Sequence, residues 1–214
     1  MKYSKNQLHE VIFEIKFPII LKLYTDREDA ASEFQEQVKS EFPNVDFEKK
    51  KKTSIIHENT GGSSEVKTKD EYLTWIFSNG KKQIQLTGKN VLLVCKGESY
   101  TNFEEFMQDV HIILKALREY DLKITTFTGL RFINQINIGN EKQIDEYINP
   151  NLHLINEEFE NDNLIQSLTK TELEIEGYNL IFTYGQFNPD YPSTSSKKEF
   201  ILDYDCISVY DEKI

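Results

Sequence analysis

The stretch TGLRFINQINI, residues 128–138, holds the pattern that decides the fold. It has the apolar content of a strand, yet an Arg, two Asn and a Gln interrupt it. Side chains of a strand alternate between its two faces, so the mixture separates into two rows. One row is Leu130, Phe132, Asn134, Ile136 and Ile138, and the other is Arg131, Ile133, Gln135 and Asn137. We therefore predict a strand over 123–138 with one apolar face and one polar face.

Asn134 is the exception in the apolar row. If its amide is buried it must be hydrogen-bonded, because an unpaired buried polar group costs about 1–3 kcal/mol. A β-bulge that turns the side chain outward is the alternative. On the polar face, Arg131, Gln135 and Asn137 are candidate binding residues, because a guanidinium and two amides on a rigid strand suit the carboxylates or main chain of another protein. An ordinary solvent-facing row explains the same pattern.

The first half of the chain, before this stretch, is predicted to contain both strands and helices. Asn79-Gly80 is a hairpin signal between two apolar runs. Both long helical patterns begin with a capping box, Thr25 with Glu28 and Thr101 with Glu104. The second helical pattern has a long apolar stripe, Phe103, Phe106, Met107, Val110, Ile113, Leu114 and Leu117. The predicted elements are a strand over 8–17, a helix over 25–42, a strand over 47–59, a pair of strands over 72–86 that turns at Asn79-Gly80, a strand over 91–95, and a helix over 101–120.

The second half repeats this order of elements and stops where a second long helix is expected. Its predicted elements are the strand over 123–138, a short helix over 141–148, strands over 164–176 and 178–187 that turn near Gly177, a loop over 188–198 and a strand over 200–210. We predict an α+β fold of two duplicated β-α-β(3-4)-α units, 1–122 and 123–214, in one continuous globular unit. The units form a curved antiparallel sheet with helices on one face, and the second lacks its C-terminal helix. This arrangement resembles the helix-grip, TATA-binding-protein-like folds.

Charge and cysteine content restrict the class of protein. The net charge is −11 and the pI is near 4.9, so binding of DNA or RNA through general charge attraction is not expected. Cys95 and Cys206 both lie in apolar runs, which favours reduced, buried thiols. The first twenty residues lack a signal-peptide pattern, and no apolar run is long enough to span a membrane. These features predict a cytoplasmic protein.

Four consecutive lysines, Lys49–Lys52, begin a predicted strand. Lysine is a common means of protecting the edge of a sheet, so an exposed edge strand is the favoured interpretation. A binding patch formed together with Arg131 is the alternative, and it is the only route to nucleic-acid binding that the sequence offers.

Sequence motifs for catalysis are absent, including those of serine hydrolases, zinc peptidases and P-loop enzymes. No metal site or cofactor is predicted. Asp203 and Asp205 share one face of a strand, where two carboxylates suit a hard cation or an acid/base pair. A solvated strand edge near Lys197 and Lys198 is the favoured interpretation. Trp75 and three tyrosines, Tyr178, Tyr184 and Tyr204, either line a concave sheet or belong to the core.

Three blocks resemble a sporadically distributed family of uncharacterised bacterial proteins. They are YSKNQLHEVIFEIKFP at 3–18, TWIFSNGKKQIQLTGKNVLLVCKGESYTNFEEF at 74–106, and GLRFINQINI at 129–138, which matches a G-L-R-[YF]-I-N-x-I block. Gln7 stands where that family has proline. The resemblance implies a C-terminal helix after a D-x-D strand, whereas here the sequence stops shortly after Asp205. Sporadic distribution implies an antitoxin-, immunity- or phage-defence-type role in a mobile locus.

Taken together, these features favour a non-enzymatic protein-binding module that holds a protein partner or a second copy of itself. The candidate binding residues are Arg131, Asn134, Gln135, Asn137, Trp75, Asp203 and Asp205. The alternative is a small-ligand-binding helix-grip protein with a pocket near Trp75, between the sheet and the helices.

Overall fold

The computed structural model describes residues 7–24, 29–56, 65–122, 124–137, 148–152, 164–192, 199–208 and 212–213. Strands account for most of these residues. They are β1 Leu8–Lys16, β2 Asn44–Ile56, β3 Glu65–Ser78, β4 Lys82–Leu86, β5 Asn90–Lys96, β6 Ile124–Thr125, β7 Phe127–Asn137, β8 Ser167–Ile175, β9 Tyr178–Phe187, β10 Glu199–Ser208 and β11 Glu212–Lys213. The α-helices are α1 Ser32–Val38 and α2 Phe103–Arg118.

Nine of the strands form one open sheet in the order β2-β3-β4-β5-β1-β7-β10-β9-β8. The pairs β2–β3, β3–β4, β7–β10, β10–β9 and β9–β8 are antiparallel. The predicted α+β class with an antiparallel sheet is confirmed. Among the described strands β2 is an outer one, as predicted for the lysine-bearing strand, and its Lys49 is exposed.

The predicted strand over 123–138 is wrong in one respect, because the chain forms two strands there. Thr126 separates β6 from β7, and its N–H donates to the carbonyl of Lys16 at 2.9 Å. β6 leaves the large sheet and pairs with β11 in a two-stranded sheet. A sequence pattern of period two continues through such a junction, so it does not reveal the change of partner.

The helix predicted over 25–42 is also too long, since α1 begins only at Ser32. Asp29 closes a turn there, because its carbonyl accepts from both the N–H and the hydroxyl of Ser32, at 3.1 and 2.7 Å. Such side-chain bonds to the main chain compete with helix formation. The predicted apolar stripe is nevertheless fully buried, at Ala30, Ala31, Phe34, Val38 and Phe42. The predicted capping residues, Thr25 and Glu28, lie outside the described residues.

The cap of α2 lies one residue later than the predicted Thr101. Asn102 is the N-cap, and its Oδ1 accepts from the N–H of Glu105 at 2.8 Å. Thr101 bonds the Glu105 carboxylate instead, which lowers the pKa of Glu105. Phe103, predicted to be in the apolar stripe, is exposed. It is the first residue of α2, and the buried part of the stripe begins one turn later, at Phe106.

The chain divides into two compact units by its contacts. Unit 1 comprises 1–13, 95–100 and 128–209, and unit 2 comprises 14–94, 101–127 and 210–214. β1 and β5 each contribute residues to both units. The predicted repeats, 1–122 and 123–214, stay a prediction.

Unit 2 contains the two helices together with β2, β3 and β4. α1 lies on the sheet through Phe34, whose ring centroid is 5.2 Å from that of Phe77 on β3. α2 lies beside β4, since Asp109 accepts a hydrogen bond of 2.6 Å from the Lys82 ammonium. The buried apolar side chains of α2 are Phe106, Val110, Ile113, Ala116 and Leu117. The predicted hairpin at Asn79-Gly80 is confirmed, with Gly80 at a φ of 82° and the Asn79 Oδ1 accepting from the Lys82 N–H.

Unit 1 contains the strand run β7-β10-β9-β8. β8 and β9 meet at the predicted turn, where Glu176 and Gly177 have φ values of 53° and 84°. Two positive φ values are the mark of a type I′ hairpin turn. A small core joins Ile136 and Phe200 to Ile148, with Leu152, Tyr184 and Leu202 packed around it. The short helix predicted over 141–148 falls outside the described residues except for Ile148.

Neither helix of the described ranges is long and apolar enough to cross a membrane.

Candidate functional site

Arg131 and Asp203 form the strongest polar contact on the predicted polar face. The Arg131 Nε donates to Oδ1 of Asp203 at 2.8 Å, and its Nη2 donates to Oδ2 at 2.6 Å. Asp203 is 7% exposed, whereas the Arg131 side chain is half exposed. Its hydrogen bond to Asp203 raises the pKa of Arg131. Bidentate pairing of this kind binds β7 to β10 and leaves the guanidinium with less capacity for a partner's carboxylate.

Asn134 is accounted for by a hydrogen bond within the sheet. Its Nδ2 donates to the carbonyl of Leu202 at 3.2 Å, and Leu202 is the residue directly opposite on β10. The register between the strands is continuous from Asn137 opposite Glu199 to Thr128 opposite Ser208, so no bulge turns the side chain outward. Of the two alternatives for Asn134, the hydrogen-bonded amide is the one observed.

Gln135 and Asn137 lie farther along the same face. The Gln135 amide donates to the carboxylate of Glu199, and Asn137 is exposed opposite Glu199. A cavity of about 370 Å³ opens there, lined by Gln7, Leu8, His9, Gln135, Asn137 and Glu199. Since two of its polar side chains bond each other, the row predicted to bind a partner is already largely paired within the chain.

Asp203 and Asp205 are not at a strand edge, because β10 lies between β7 and β9. Asp203 is committed to Arg131, and Lys197 and Lys198 lie outside the described residues. Within the described part of the chain, no group of three or more His, Cys, Asp or Glu is suited to hold a metal ion.

Trp75 belongs to unit 2, whereas the other candidate residues belong to unit 1. It is 6% exposed on β3, and its ring lies 5.6 Å from that of Phe47 on β2. Its Nε1 is buried and has no hydrogen-bond acceptor among the described residues.

The most extensive candidate surface lies on the face opposite Arg131, and only its tyrosines, Tyr178 and Tyr204, were among the aromatic residues predicted to line a sheet. The register places Phe132, Tyr204 and Phe182 in one row across β7, β10 and β9. The next row is Leu130, Cys206, Leu180 and Leu173. We call the aromatic patch the set Leu130, Phe132, Leu173, Ile175, Tyr178, Leu180, Phe182 and Tyr204.

Two rings of the aromatic patch, Phe182 and Tyr204, stack on one another, and the rings of Tyr184 and Tyr100 contact the patch from beside it. Phe182 lies 4.6 Å from Tyr204 at an interplanar angle of 15°, and 4.9 Å from Tyr184 at 27°. Tyr100 meets Phe132 edge-on at 6.0 Å. Burial raises the pKa of the Tyr204 hydroxyl.

Much of the aromatic patch faces solvent. The exposed fractions are 49% for Tyr178, 47% for Leu173, 46% for Ile175 and 38% for Tyr204. The opposite end of the same face is covered, since Ile148 and Leu152 pack on Ile136 and Phe200. The sequence signal for this surface was the alternation of large apolar residues over 173–182, which falls on one face only when β8 and β9 are paired in their observed register.

Comparison of the chain with protein-family models gave no match, and comparison with curated proteins gave no significantly similar sequence.

Proposed function

We propose that the protein is a non-enzymatic protein-binding module and that the aromatic patch is its binding surface. The observation that carries the proposal is a continuous set of aromatic and aliphatic side chains on four hydrogen-bonded strands, several of them 38–49% exposed. Contiguous exposed apolar patches larger than roughly a few hundred Å² are rare on soluble monomers and mark interaction sites. Tyr and Phe are also enriched at the centres of protein interfaces.

The occupant that fits best is an amphipathic helix of a partner protein. A helix of about 10 Å diameter lies comfortably on three or four strands spaced about 4.8 Å apart. The chain's own α1 offers the same solution, with Phe34 against Phe77 on β3. The net charge of −11 favours a partner helix that is flanked by basic residues, because opposite charges accelerate and orient association.

The proposal includes the duplicated, helix-grip architecture. Its support is that β2-β3-β4-β5 ends beside β1, and β8-β9-β10 ends beside β7, so each run of strands is closed by the first strand of its half. In this scheme a partner's helix supplies the packing that α1 and α2 supply in unit 2. An antitoxin-, immunity- or phage-defence-type role rests only on the resemblance of 3–18 and 129–138 to a sporadically distributed bacterial family.

The test is affinity capture from the native host with the wild type and two variants. Tyr204→Lys introduces a charge into the aromatic patch, and Asn137→Lys introduces the same charge on the opposite face. We expect a stoichiometric partner that the wild type and Asn137→Lys retain and Tyr204→Lys loses. Calorimetry with the purified partner should then show a decrease in affinity of at least about 100-fold for Tyr204→Lys, the range of an interface hot spot.

Two outcomes would contradict the proposal. One is the recovery of no stoichiometric partner. The other is a partner that binds Tyr204→Lys normally and is lost with Asn137→Lys, which would move the site to the row of Arg131, Gln135 and Asn137.

A second candidate function is small-ligand binding near Trp75. The observation that favours it is the buried indole N–H without an acceptor among the described residues, since a ligand carbonyl would satisfy that group. Trp75 is the single tryptophan of the chain, so its fluorescence reports on this location alone. A metabolite that shifts the emission and raises the melting temperature of the wild type, and fails to stabilise Trp75→Phe, would support this function.

A further inference from the structure

β8 is an edge strand with little protection. Among the described residues it lies at the end of the sheet and pairs only with β9. Every residue from Leu168 to Ile175 is exposed. Natural edge strands are protected by charged side chains, prolines or bulges. The charges of SLTKTELEI are of both signs, Lys170 with Glu172 and Glu174, and the strand has no proline and an uninterrupted register with β9.

The turn that precedes β9 determines which main-chain groups of β8 are available. A two-residue I′ turn makes its flanking residues, Ile175 and Tyr178, a hydrogen-bonded pair. Hydrogen-bonded and non-hydrogen-bonded pairs alternate along an antiparallel ladder. The N–H and C=O groups of Leu168, Lys170, Glu172 and Glu174 consequently point away from β9, toward the free edge.

We propose that two copies of the chain pair antiparallel along β8, around a two-fold axis at Thr171. Lys170 then lies opposite Glu172 of the second copy, and Leu168 lies opposite Glu174. These are the residues whose main-chain groups point outward, so each becomes half of a hydrogen-bonded pair. The Thr171 side chains of the two copies lie opposite each other, on the sheet face opposite Lys170 and Glu172. Cross-strand threonine pairs of this kind are favourable.

Charge favours this register over the registers shifted by two residues. Within one strand the Lys170 ammonium already lies 2.6 Å from the Glu172 carboxylate, so pairing at Thr171 produces an alternating cluster of four charges. A shift of two residues in one direction sets Lys170 against Lys170, and a shift in the other direction sets Glu172 against Glu172. Like charges directly opposite one another are destabilising, so both shifted registers are disfavoured.

The first experiment is sedimentation equilibrium on the full chain and on two charge variants. We expect the wild type to dimerise, and Lys170→Glu and Glu172→Lys each to weaken the dimer about tenfold or more, because each sets like charges opposite one another. Mixing the two variants should restore dimers, since the carboxylate introduced in one variant then faces the ammonium introduced in the other. A wild type that stays monomeric, or a dimer that either single variant leaves unchanged, would overturn the proposal.

The second experiment tests the register by oxidative cross-linking in a Cys206→Ser background. Thr171→Cys lies at the axis, where opposed Cβ atoms are about 4.5–5.5 Å apart, and should form a disulfide-linked dimer. Thr169→Cys lies opposite Leu173 and should cross-link far less. The reverse preference would overturn the proposal.

A last control separates this contact from the aromatic patch. Tyr204→Lys should lose the partner of the proposed function and keep the β8 dimer. Loss of the dimer in Tyr204→Lys would assign self-association to the patch and overturn the pairing along β8.

Discussion

At the scale of single residues, unit 1 depends on close main-chain packing at Gly185. Its φ is 139°, and a Cβ there would lie 2.0 Å from the carbonyl oxygen of Ser167 on the neighbouring strand. Gly177, in the β8–β9 turn, also has a positive φ, of 84°, but a Cβ there would meet nothing within 4 Å. An alanine at Gly177 therefore tests backbone strain alone, whereas an alanine at Gly185 tests backbone strain together with a steric clash.

We predict that Gly185→Ala lowers the free energy of unfolding by more than about 3 kcal/mol, and Gly177→Ala by about 1 kcal/mol. Urea denaturation of both variants measures the difference. Equal losses would mean that β8 moves away from Gly185 at little cost.

Tyr120 offers a test of electrostatics in unit 2. Its hydroxyl accepts from the Phe34 N–H at 3.2 Å, and burial raises the pKa of Tyr120 from its usual 10.0 to about 12. Because the folded state holds this proton more tightly, the associated stability is complete below pH 10 and is lost as the pH rises toward 12.

The expected loss from Tyr120 is about 1 kcal/mol after allowance for solvent screening. Denaturation of wild type and Tyr120→Phe at intervals between about pH 9 and 12 measures it. The wild type should lose stability more steeply over that interval, and parallel curves for the two proteins would contradict the assignment.

At the scale of elements, the cap of α2 determines where the longer helix begins. Asn102 accepts from the Glu105 N–H, whereas Thr101 bonds only the Glu105 side chain. We predict that Asn102→Ala costs about 1 kcal/mol of stability and Thr101→Ala less than half of that. Thermal denaturation of both variants distinguishes them, and a larger loss for Thr101→Ala would restore the capping box predicted from the sequence.

Local patterns predicted the elements well and their partners poorly. The alternation of 129–138 correctly separated Arg131 from Phe132, because side-chain direction in a strand depends only on position. The sequence did not indicate that Arg131 is bonded by Asp203, 72 residues away, because register between distant strands has no local signature. The sequence offered Tyr178 and Tyr204 as sheet-lining residues but not the patch as a whole, since Phe132, Tyr204 and Phe182 become neighbours only through the pairing of three strands.

At the scale of the whole molecule, β1 and β5 are each divided between the two units. Unit 1 takes Leu8–Phe13 of β1 and unit 2 takes the remainder, so neither unit has a complete β1 of its own. Because the two parts of β1 are consecutive residues of one strand, we expect both parts to be lost together on unfolding.

We therefore predict a single cooperative unfolding transition. Trp75 fluorescence reports on unit 2, and the reactivity of the half-buried Cys206 thiol reports on unit 1, with Cys95→Ala as the background. The two probes should give coincident urea midpoints. Midpoints that differ would show that the units unfold independently.

The unequal edges of the nine-stranded sheet limit how far strand addition can proceed. A β8 pair is isologous, so both β8 edges are consumed when two copies meet. The outer strand that remains on each copy is β2, whose sequence carries four consecutive lysines. Repulsion between such strands opposes the open-ended stacking that produces fibrils. If the proposed β8 pair forms, growth of the sheet across chains should terminate at a closed pair, which would keep this aromatic-rich α+β protein from polymerising.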